Sequence, residues 1–227
     1  MTRVLAVADE VVESLWTERV RRYEVDLIVA AGDLPFDYLE FLATALDRPC
    51  VFVPGNHDAD LGGYSNVRGL WTRDGLPARW PGPVGGVNAD QRVVDVAGLR
   101  IAGLGGSIRY NSGPNQWTER QQARRMRRVA RLANWRRMRD GRGVDLLLTH
   151  SPPRDCGDEP DPPHRGFQCL HDGVRRLRPP LLLHGHIHPH GEPKPDRLLD
   201  GTRVVNVVGH RVLDVPSATN PEVDRAP

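Results

Sequence analysis

The chain has 227 residues, of which 39% are hydrophobic and 26% charged, and this composition is typical of a globular protein. It contains no run of about 18 apolar residues, so the sequence predicts no membrane-spanning helix. With 31 basic and 29 acidic side chains the net charge is +2, too small to argue for a polyanionic partner. The apolar run at the start is too short for a signal peptide, and the three cysteines lack CxxC spacing. We therefore expect a cytoplasmic protein without disulfides.

The first part of the chain alternates short apolar runs with amphipathic stretches. In chain order, the pattern predicts strand 4–8, helix 14–23, strand 27–31, helix 36–46 and strand 51–53. The second helix is the clearer one, because Phe36, Leu39 and Ala43 are spaced to lie on one face. This βαβαβ order indicates a sheet of parallel strands covered by helices.

The second part begins with a proline- and glycine-rich stretch, residues 62–90, which we expect to be a loop. The elements predicted after it are a hairpin of strands 92–96 and 99–104, a helix 118–139, and strands 145–149, 181–183 and 203–208. Thr118 and Gln121 have the spacing of a capping box at the start of the helix. With no internal repeat and no second core, we predict a single domain at residues 1–214 and a flexible tail at 215–227.

Polar clusters follow the predicted strands at their carboxyl ends. They are Asp9, Gly32-Asp33, Gly55-Asn56-His57-Asp58, His150 and Gly185-His186-Ile187-His188. Any one of them is compatible with an ordinary turn or helix cap. Ligand sites, however, collect outside the carboxyl ends of parallel strands, so the whole set predicts one shared site.

The residue types in these clusters point to metal chemistry. Oxygen and nitrogen ligands without thiolates favour manganese, iron or zinc. Two such ions, about 3.5–4 Å apart, can activate a water and neutralise a transferring phosphoryl group. Such a pair needs a bridging carboxylate, for which Asp33 is the candidate. His57 is suited to protonating a leaving oxygen, and Asp58 to holding the histidine in the right tautomer.

In their order, these clusters resemble the calcineurin-like metallophosphoesterase superfamily over roughly residues 4–188. The resemblance implies an α/β fold (α+β in some schemes), a four-layer αββα sandwich of two mixed β-sheets with a dinuclear site between the sheet edges. It also implies the ligand set: Asp33 bridging both ions, Asn56, His150 and His186 on one, and Asp9 and His188 on the other. His57 would be the general acid or phosphate clamp, oriented by Asp58.

One position departs from the family pattern. The first motif is normally Asp-x-His, but Val11 stands where the histidine would be, and Phe36 stands where one branch of the family has a substituting tyrosine. Glu10 should face away from Asp9 if the chain is extended there. We therefore expect one divalent ion to bind tightly at Asn56, His150 and His186, and a second to bind more weakly beside Asp9.

Together these features predict a metal-dependent phosphoester hydrolase. A metal-bound hydroxide would attack a phosphodiester or activated phosphomonoester in line, with His57 as general acid. We expect a small phosphoester substrate, a nucleotide being one candidate. Two alternatives stay open: a weakly active or inactive member of the fold that binds a nucleotide or a protein partner, and a nuclease.

Substrate contacts are predicted from two loops. Arg109 lies in a glycine-rich segment after a strand, and His164 and Arg165 lie in a long proline-rich loop.

The many arginines between residues 120 and 142 suggest nucleic-acid binding. Met126, Val129 and Ala133 are spaced to pack one helical face, which leaves the arginines solvated, and no aromatic residues interleave at base-stacking positions. We therefore expect neither a nucleic-acid nor a membrane partner.

Overall fold

A computed structural model describes residues 1–189, 191–192 and 194–216. The strands are β1 (Thr2–Ala8), β2 (Leu27–Ala30), β3 (Cys50–Phe52), β4 (Tyr64–Val67), β5 (Leu70–Arg73), β6 (Leu76–Pro77), β7 (Val87–Asn88), β8 (Val93–Val96), β9 (Leu99–Leu104), β10 (Ser107–Ile108), β11 (Gln116–Trp117), β12 (Leu146–Thr149), β13 (Leu181–His184), β14 (Arg197–Leu199), β15 (Thr202–Asn206) and β16 (Gly209–Val215). The α-helices are α1 (Phe36–Leu46), α2 (Glu119–Asp140) and α3 (Cys169–Leu177), and two short 3-10 helices span Glu13–Leu15 and Glu18–Arg22.

Two mixed sheets form the centre of the molecule. The first has the strand order β16-β1-β2-β3-β7, with β16 antiparallel to β1 and the other pairs parallel. The second has the order β14-β15-β13-β12-β9-β8, with an antiparallel strand at each edge. The α/β architecture of two mixed sheets is thus confirmed.

The layers follow from the alternation of side chains along the strands. In β1, Val4 and Ala6 belong to the core between the two sheets, whereas Leu5 and Val7 belong to the core under α1 and the 3-10 helices. A third core lies between the second sheet and the helices α2 and α3. The result is four layers, helices outside and sheets inside.

Several elements that were predicted from short sequence patterns are present in the structure. α1 has the predicted bounds, and β8 and β9 form the predicted antiparallel hairpin. The start of α2 is a capping box: Thr118 Oγ1 accepts the Gln121 backbone N–H, and the Gln121 side chain accepts the Thr118 backbone N–H. None of the described helices is both long and apolar enough to span a bilayer.

Other elements differ from the sequence predictions. Residues 14–23 form two short 3-10 helices instead of one α-helix, because Thr17 is extended and caps the second of them. Within the predicted loop, β4, β5 and β6 form a small antiparallel sheet. The strand β16 was not predicted and runs to Val215, the first residue of the predicted tail; residues 217–227 lie outside the described residues.

Candidate metal centre

Four polar side chains lie close together at the carboxyl ends of strands from both sheets. Asp9 follows β1 and Asp33 lies beyond β2 in the first sheet, and His150 and His186 lie just after β12 and β13 in the second. One ligand atom from each of these residues lies within 4.8 Å of all the others. Residues far apart in sequence therefore share one pocket.

The backbone makes a sharp turn at three of these positions. The φ angles of Asp9, Asp33 and His186 are 58°, 56° and 69°, all in the left-handed region that non-glycine residues seldom occupy. Such outliers concentrate where surrounding contacts hold a functional side chain in place. Here they end each strand abruptly, with the ligand residue at the turn.

Two glycines leave room for the carboxylates. A Cβ atom at Gly55 would lie 2.1 Å from Asp33 Oδ1, and one at Gly185 would lie 2.2 Å from Asp9 Oδ2. Real Cβ atoms essentially never approach this closely. Only glycine therefore fits beside each carboxylate.

His150 is held by a backbone carbonyl on one side and faces the cluster with the other. Its Nδ1 lies 2.7 Å from the Ala31 carbonyl oxygen, which can only accept, so Nδ1 carries a hydrogen. Its Nε2 lies 3.2 Å from Asp33 Oδ2 and 3.0 Å from Asn56 Oδ1. These three atoms converge as the ligands of a single cation would.

The pKa values of this pair indicate how strongly the pocket attracts positive charge. Burial would lower the pKa of His150, but the charge and hydrogen bond of Asp33 outweigh it and raise the pKa to about 9. Burial would likewise raise the pKa of Asp33, yet His150 lowers it to about 2. A proton on His150 Nε2 thus occupies the place that suits a cation.

Asp9 and His186 form the other half of the cluster. The backbone N–H of His186 donates to Asp9 Oδ2 at 2.9 Å. Its Nε2 donates to the Pro163 carbonyl oxygen at 2.8 Å, which leaves Nδ1 as the free ligand atom. Burial lowers the pKa of His186 to about 3, and the charge of His150 acts in the same direction. Burial raises the pKa of Asp9 to about 6, although the charge of His150 opposes this shift. His186 is therefore a neutral imidazole, the form that binds metals.

The donor set fits a divalent metal. It consists of carboxylates, imidazoles and an amide oxygen, with no thiolate in the group, which suits manganese, iron or zinc. Two largely buried carboxylates on one side of the pocket also need a positive partner.

The loop after β3 supplies Asn56, and a tyrosine orients it. Asn56 Nδ2 donates to the Tyr110 hydroxyl at 3.1 Å, so that Oδ1 faces His150. The predicted substrate contact Arg109 precedes Tyr110 in the chain. Its guanidinium donates one hydrogen bond to the Gln116 carbonyl oxygen at 3.2 Å.

In the same loop, the structure assigns Asp58 a different task from the predicted one. Its Oδ2 accepts the backbone N–H groups of Asp33 at 3.0 Å and Gly55 at 2.7 Å, so it braces the loop. In the described part of the chain it makes no hydrogen bond to the His57 ring. The His57 backbone N–H donates to Asp33 Oδ1 at 2.7 Å, and its imidazole is exposed. Burial raises the pKa of Asp58 to about 6.

Comparison with known proteins identifies the family. A sequence model of the calcineurin-like phosphoesterases matches residues 5–190. The chain belongs to the calcineurin-like phosphoesterase family. It is 26% identical over 190 residues to an uncharacterized protein of Haemophilus influenzae, covering 74% of this chain and 75% of that one. The crystal structure of TT1561 from Thermus thermophilus shares the fold, with a TM-score of 0.62 at 16% identity over 96% of this chain and 99% of that one.

The altered first motif of this phosphoesterase has a structural counterpart. Because the backbone of Asp9 has a left-handed conformation, the chain is not extended there. The Glu10 side chain therefore points towards the second sheet. Glu10 Oε1 lies 3.0 Å from His188 Nδ1. Val11 packs against the outer core of the first sheet. His188 lies outside the group of four, beside Glu10, although its charge acts to lower the pKa of Asp9.

The long loop of the phosphoesterase reaches the cluster as well. The His164 ring centroid lies 5.5 Å from that of His186, and His164 Nδ1 lies 2.7 Å from Asp161 Oδ2. Arg165 lines a neighbouring cleft of about 810 Å³, together with Arg154, Lys194 and Arg197. Of the three predicted substrate contacts, His164 thus lies beside the cluster and Arg165 lies in an adjoining cleft.

Proposed function

We propose that this protein is a metal-dependent phosphoester hydrolase acting on a phosphodiester or an activated phosphomonoester. The observation that carries the proposal is the convergence of Asp9, Asp33, His150 and His186, with ligand atoms within 4.8 Å of one another. Membership of the calcineurin-like phosphoesterases supports a hydrolase in general.

Divalent ions in such a site supply Lewis acidity and lower the pKa of water. Asp33 would be shared between two ions, with Asn56, His150 and His186 on one and Asp9 and His188 on the other. We propose tight binding at the first position and weaker binding at the second, where Val11 replaces a family ligand. Manganese, iron and zinc all suit these donors.

We propose His57 as the residue that moves a proton. Its backbone N–H is fixed to Asp33, while its imidazole is exposed at the surface of the site. A substrate phosphoryl group at the cluster would bring its leaving oxygen towards this ring. We propose that His57 protonates that oxygen, and that Asp58 acts indirectly by holding the loop.

We propose a small phosphoester substrate that binds at the cluster and in the cleft beside it. His164 lies beside His186, and the cleft next to it, of about 810 Å³, is lined by four basic and three acidic residues. A nucleotide has both the phosphate and the size for such a space.

The three cysteines, Cys50, Cys156 and Cys169, are free and buried, which supports a reducing compartment such as the cytoplasm.

The test compares a chromogenic phosphodiester and a chromogenic monoester, with manganese and with chelator, in the wild type and in His57→Ala. We expect metal-dependent turnover that falls about 10²- to 10⁴-fold in the variant. The variant should bind manganese as the wild type does, because the imidazole is not among the four converging ligands. Turnover that is unchanged by chelator, or equal in both proteins, would refute the proposal.

A second candidate is a non-catalytic module of the same fold. It is favoured by one observation, that Val11 packs into the outer core and offers no ligand. Such a module would bind manganese and a nucleotide in the same assay without releasing product.

A further inference from the structure

A groove lies on the face of the molecule formed by α2 and α3. The two helices approach closely at Gly173, where a Cβ atom would lie 2.6 Å from the Met126 sulfur. The groove has a volume of about 540 Å³, and its lining consists of Arg124, Arg127, Ala130, Arg131, Asn134 and Arg176. Four of its six lining residues are arginines, and none is acidic.

The positive charge of this groove is only partly balanced within the described part of the chain, where Arg176 helps to lower the pKa of Asp172. No hydrogen bond or ion pair is made there by the side chains of Arg124, Arg127, Arg131 or Arg176. Two other arginines of α2, Arg125 and Arg136, do form ion pairs.

Those pairs show that the helix forms ion pairs where an acid is available. Arg125 bonds Asp90 at 2.6 Å and Arg136 bonds Asp95 at 3.1 Å. The acids at the two ends of α2 are also engaged elsewhere. Glu119 accepts the backbone N–H of Cys169 at 2.7 Å, and Asp140 accepts from Arg100. Neither end of the helix therefore neutralises the groove.

Like charges at these spacings oppose helix formation. Arg124 and Arg127 are three residues apart and Arg127 and Arg131 are four apart, so each pair is adjacent on the helix surface. Like-charged pairs at such spacings destabilise a helix. An external anion would relieve this repulsion.

From this groove we infer that the protein binds a single-stranded nucleic acid through its phosphates. Arg124 and Arg131 are about 10 Å apart along the axis at about 1.5 Å per residue, which spans two to three phosphates of a strand. Guanidinium groups bind phosphate oxygens through two parallel hydrogen bonds. A nucleic-acid strand is narrow enough to enter this concave groove. The surface of an anionic membrane is flat and would contact only side chains that protrude from the protein.

An exposed aromatic ring beside the groove strengthens the assignment. Trp135 follows Arg131 by one helical turn and exposes 56% of its surface, with the Arg139 guanidinium 5.8 Å from its ring centroid. Bases stack on such rings without regard to sequence. The sequence pattern alone favoured a solvated helix with no stacking partner; the structure adds the groove and the exposure of Trp135. The inference does not depend on the proposed hydrolase, since binding needs no metal.

The experiment measures the fluorescence anisotropy of a labelled 20-nucleotide oligo-dT with the full chain, in chelator, between 50 and 200 mM salt. Arg124→Gln, Arg127→Gln and Arg131→Gln are combined in one variant. We expect affinity to fall at least about 10-fold and the salt slope to lose about 2, at about 0.7 per phosphate contact on a single strand.

The matched control removes three exposed arginines elsewhere, as Arg19→Gln, Arg21→Gln and Arg22→Gln, so the net charge changes equally. It should retain the wild-type slope. Trp135→Ala should weaken binding about 5-fold or more while leaving the salt slope unchanged, because stacking is not ionic. Circular dichroism and melting of each variant report its folding.

Three results would overturn the inference. They are wild-type binding by the groove variant, equal loss in the control variant, and oligo-dT binding that is displaced by an acidic peptide or by anionic vesicles at lower concentration than by unlabelled oligo-dT.

Discussion

Replacing Gly185 by alanine should weaken binding of the second metal ion, the one beside Asp9, while leaving the fold in place. The new Cβ would lie 2.2 Å from Asp9 Oδ2 and 2.7 Å from the Ala8 Cβ, whereas ordinary contacts begin at 3.4 Å. The carboxylate must therefore retreat by roughly 1 Å, and the hydrogen bond from the His186 N–H to Asp9 must break.

That displacement is large on the scale of metal coordination. Metal–ligand distances tolerate about 0.2 Å, so a shift of roughly 1 Å removes Asp9 as a ligand. Disturbing the support of a ligand typically lowers metal affinity about 10- to 100-fold. Overpacking at a site of this kind costs about 1–3 kcal/mol of stability, which the fold should survive.

Competition with a metal-sensitive dye measures the manganese affinity, and calorimetry measures unfolding of the metal-free chain. Gly62→Ala is the matched control, since its nearest atom is the exposed Asp60 side chain at 3.0 Å. Wild-type affinity for the second, weaker manganese ion in the folded Gly185→Ala protein would show that the Asp9 carboxylate plays no part in binding.

Four more predictions concern the same pocket. Asp58→Ala should lower the free energy of unfolding by roughly 1–3 kcal/mol for each of the two N–H groups it orphans, and Asp58→Asn by much less, as urea titration will show. His184 has its pKa lowered by burial to about 4, so unfolding takes up its proton below pH 6.5 and stability falls towards pH 4; His184→Gln should flatten that slope by up to about 1.4 kcal/mol per pH unit in pH-dependent urea titrations. With the pKa of His150 raised to about 9, metal binding at pH 7.5 should release a proton, seen as a dependence of the calorimetric heat on buffer ionisation; no such dependence would contradict the assignment of His150 as a ligand. Glu10→Ala should weaken the second ion about 10-fold through His188 and leave the tight ion unchanged in metal titrations, with Glu10→Gln intermediate.

Elements with strong local signals were predictable from the sequence. The apolar spacing in α1, the turn of the β8–β9 hairpin and the capping box at Thr118 all act between residues a few positions apart. The positions of Asp9, Asp33, His150 and His186 were predictable for a related reason, since each lies just beyond the end of a buried strand.

What the sequence did not reveal depends on contacts between distant segments. β16 is stabilised by pairing with β1 at the other end of the chain, and its own pattern of buried residues is weak. The strands β4 to β6 are largely exposed, so they lack the alternation that marks a half-buried strand. The same holds for two side-chain contacts: Tyr110 is 54 residues from Asn56, and Glu10 is 178 residues from His188.

The left-handed backbone conformations of Asp9, Asp33 and His186 lower the thermal stability of the protein while they position its candidate metal ligands. Each holds an L-amino acid in a conformation that costs about 1–2 kcal/mol and that glycine would adopt freely. Substituting glycine at these three positions would therefore raise thermal stability, but it would also remove the metal ligands. A search for stabilised variants that ignored activity would therefore tend to replace these three residues and lose the pocket.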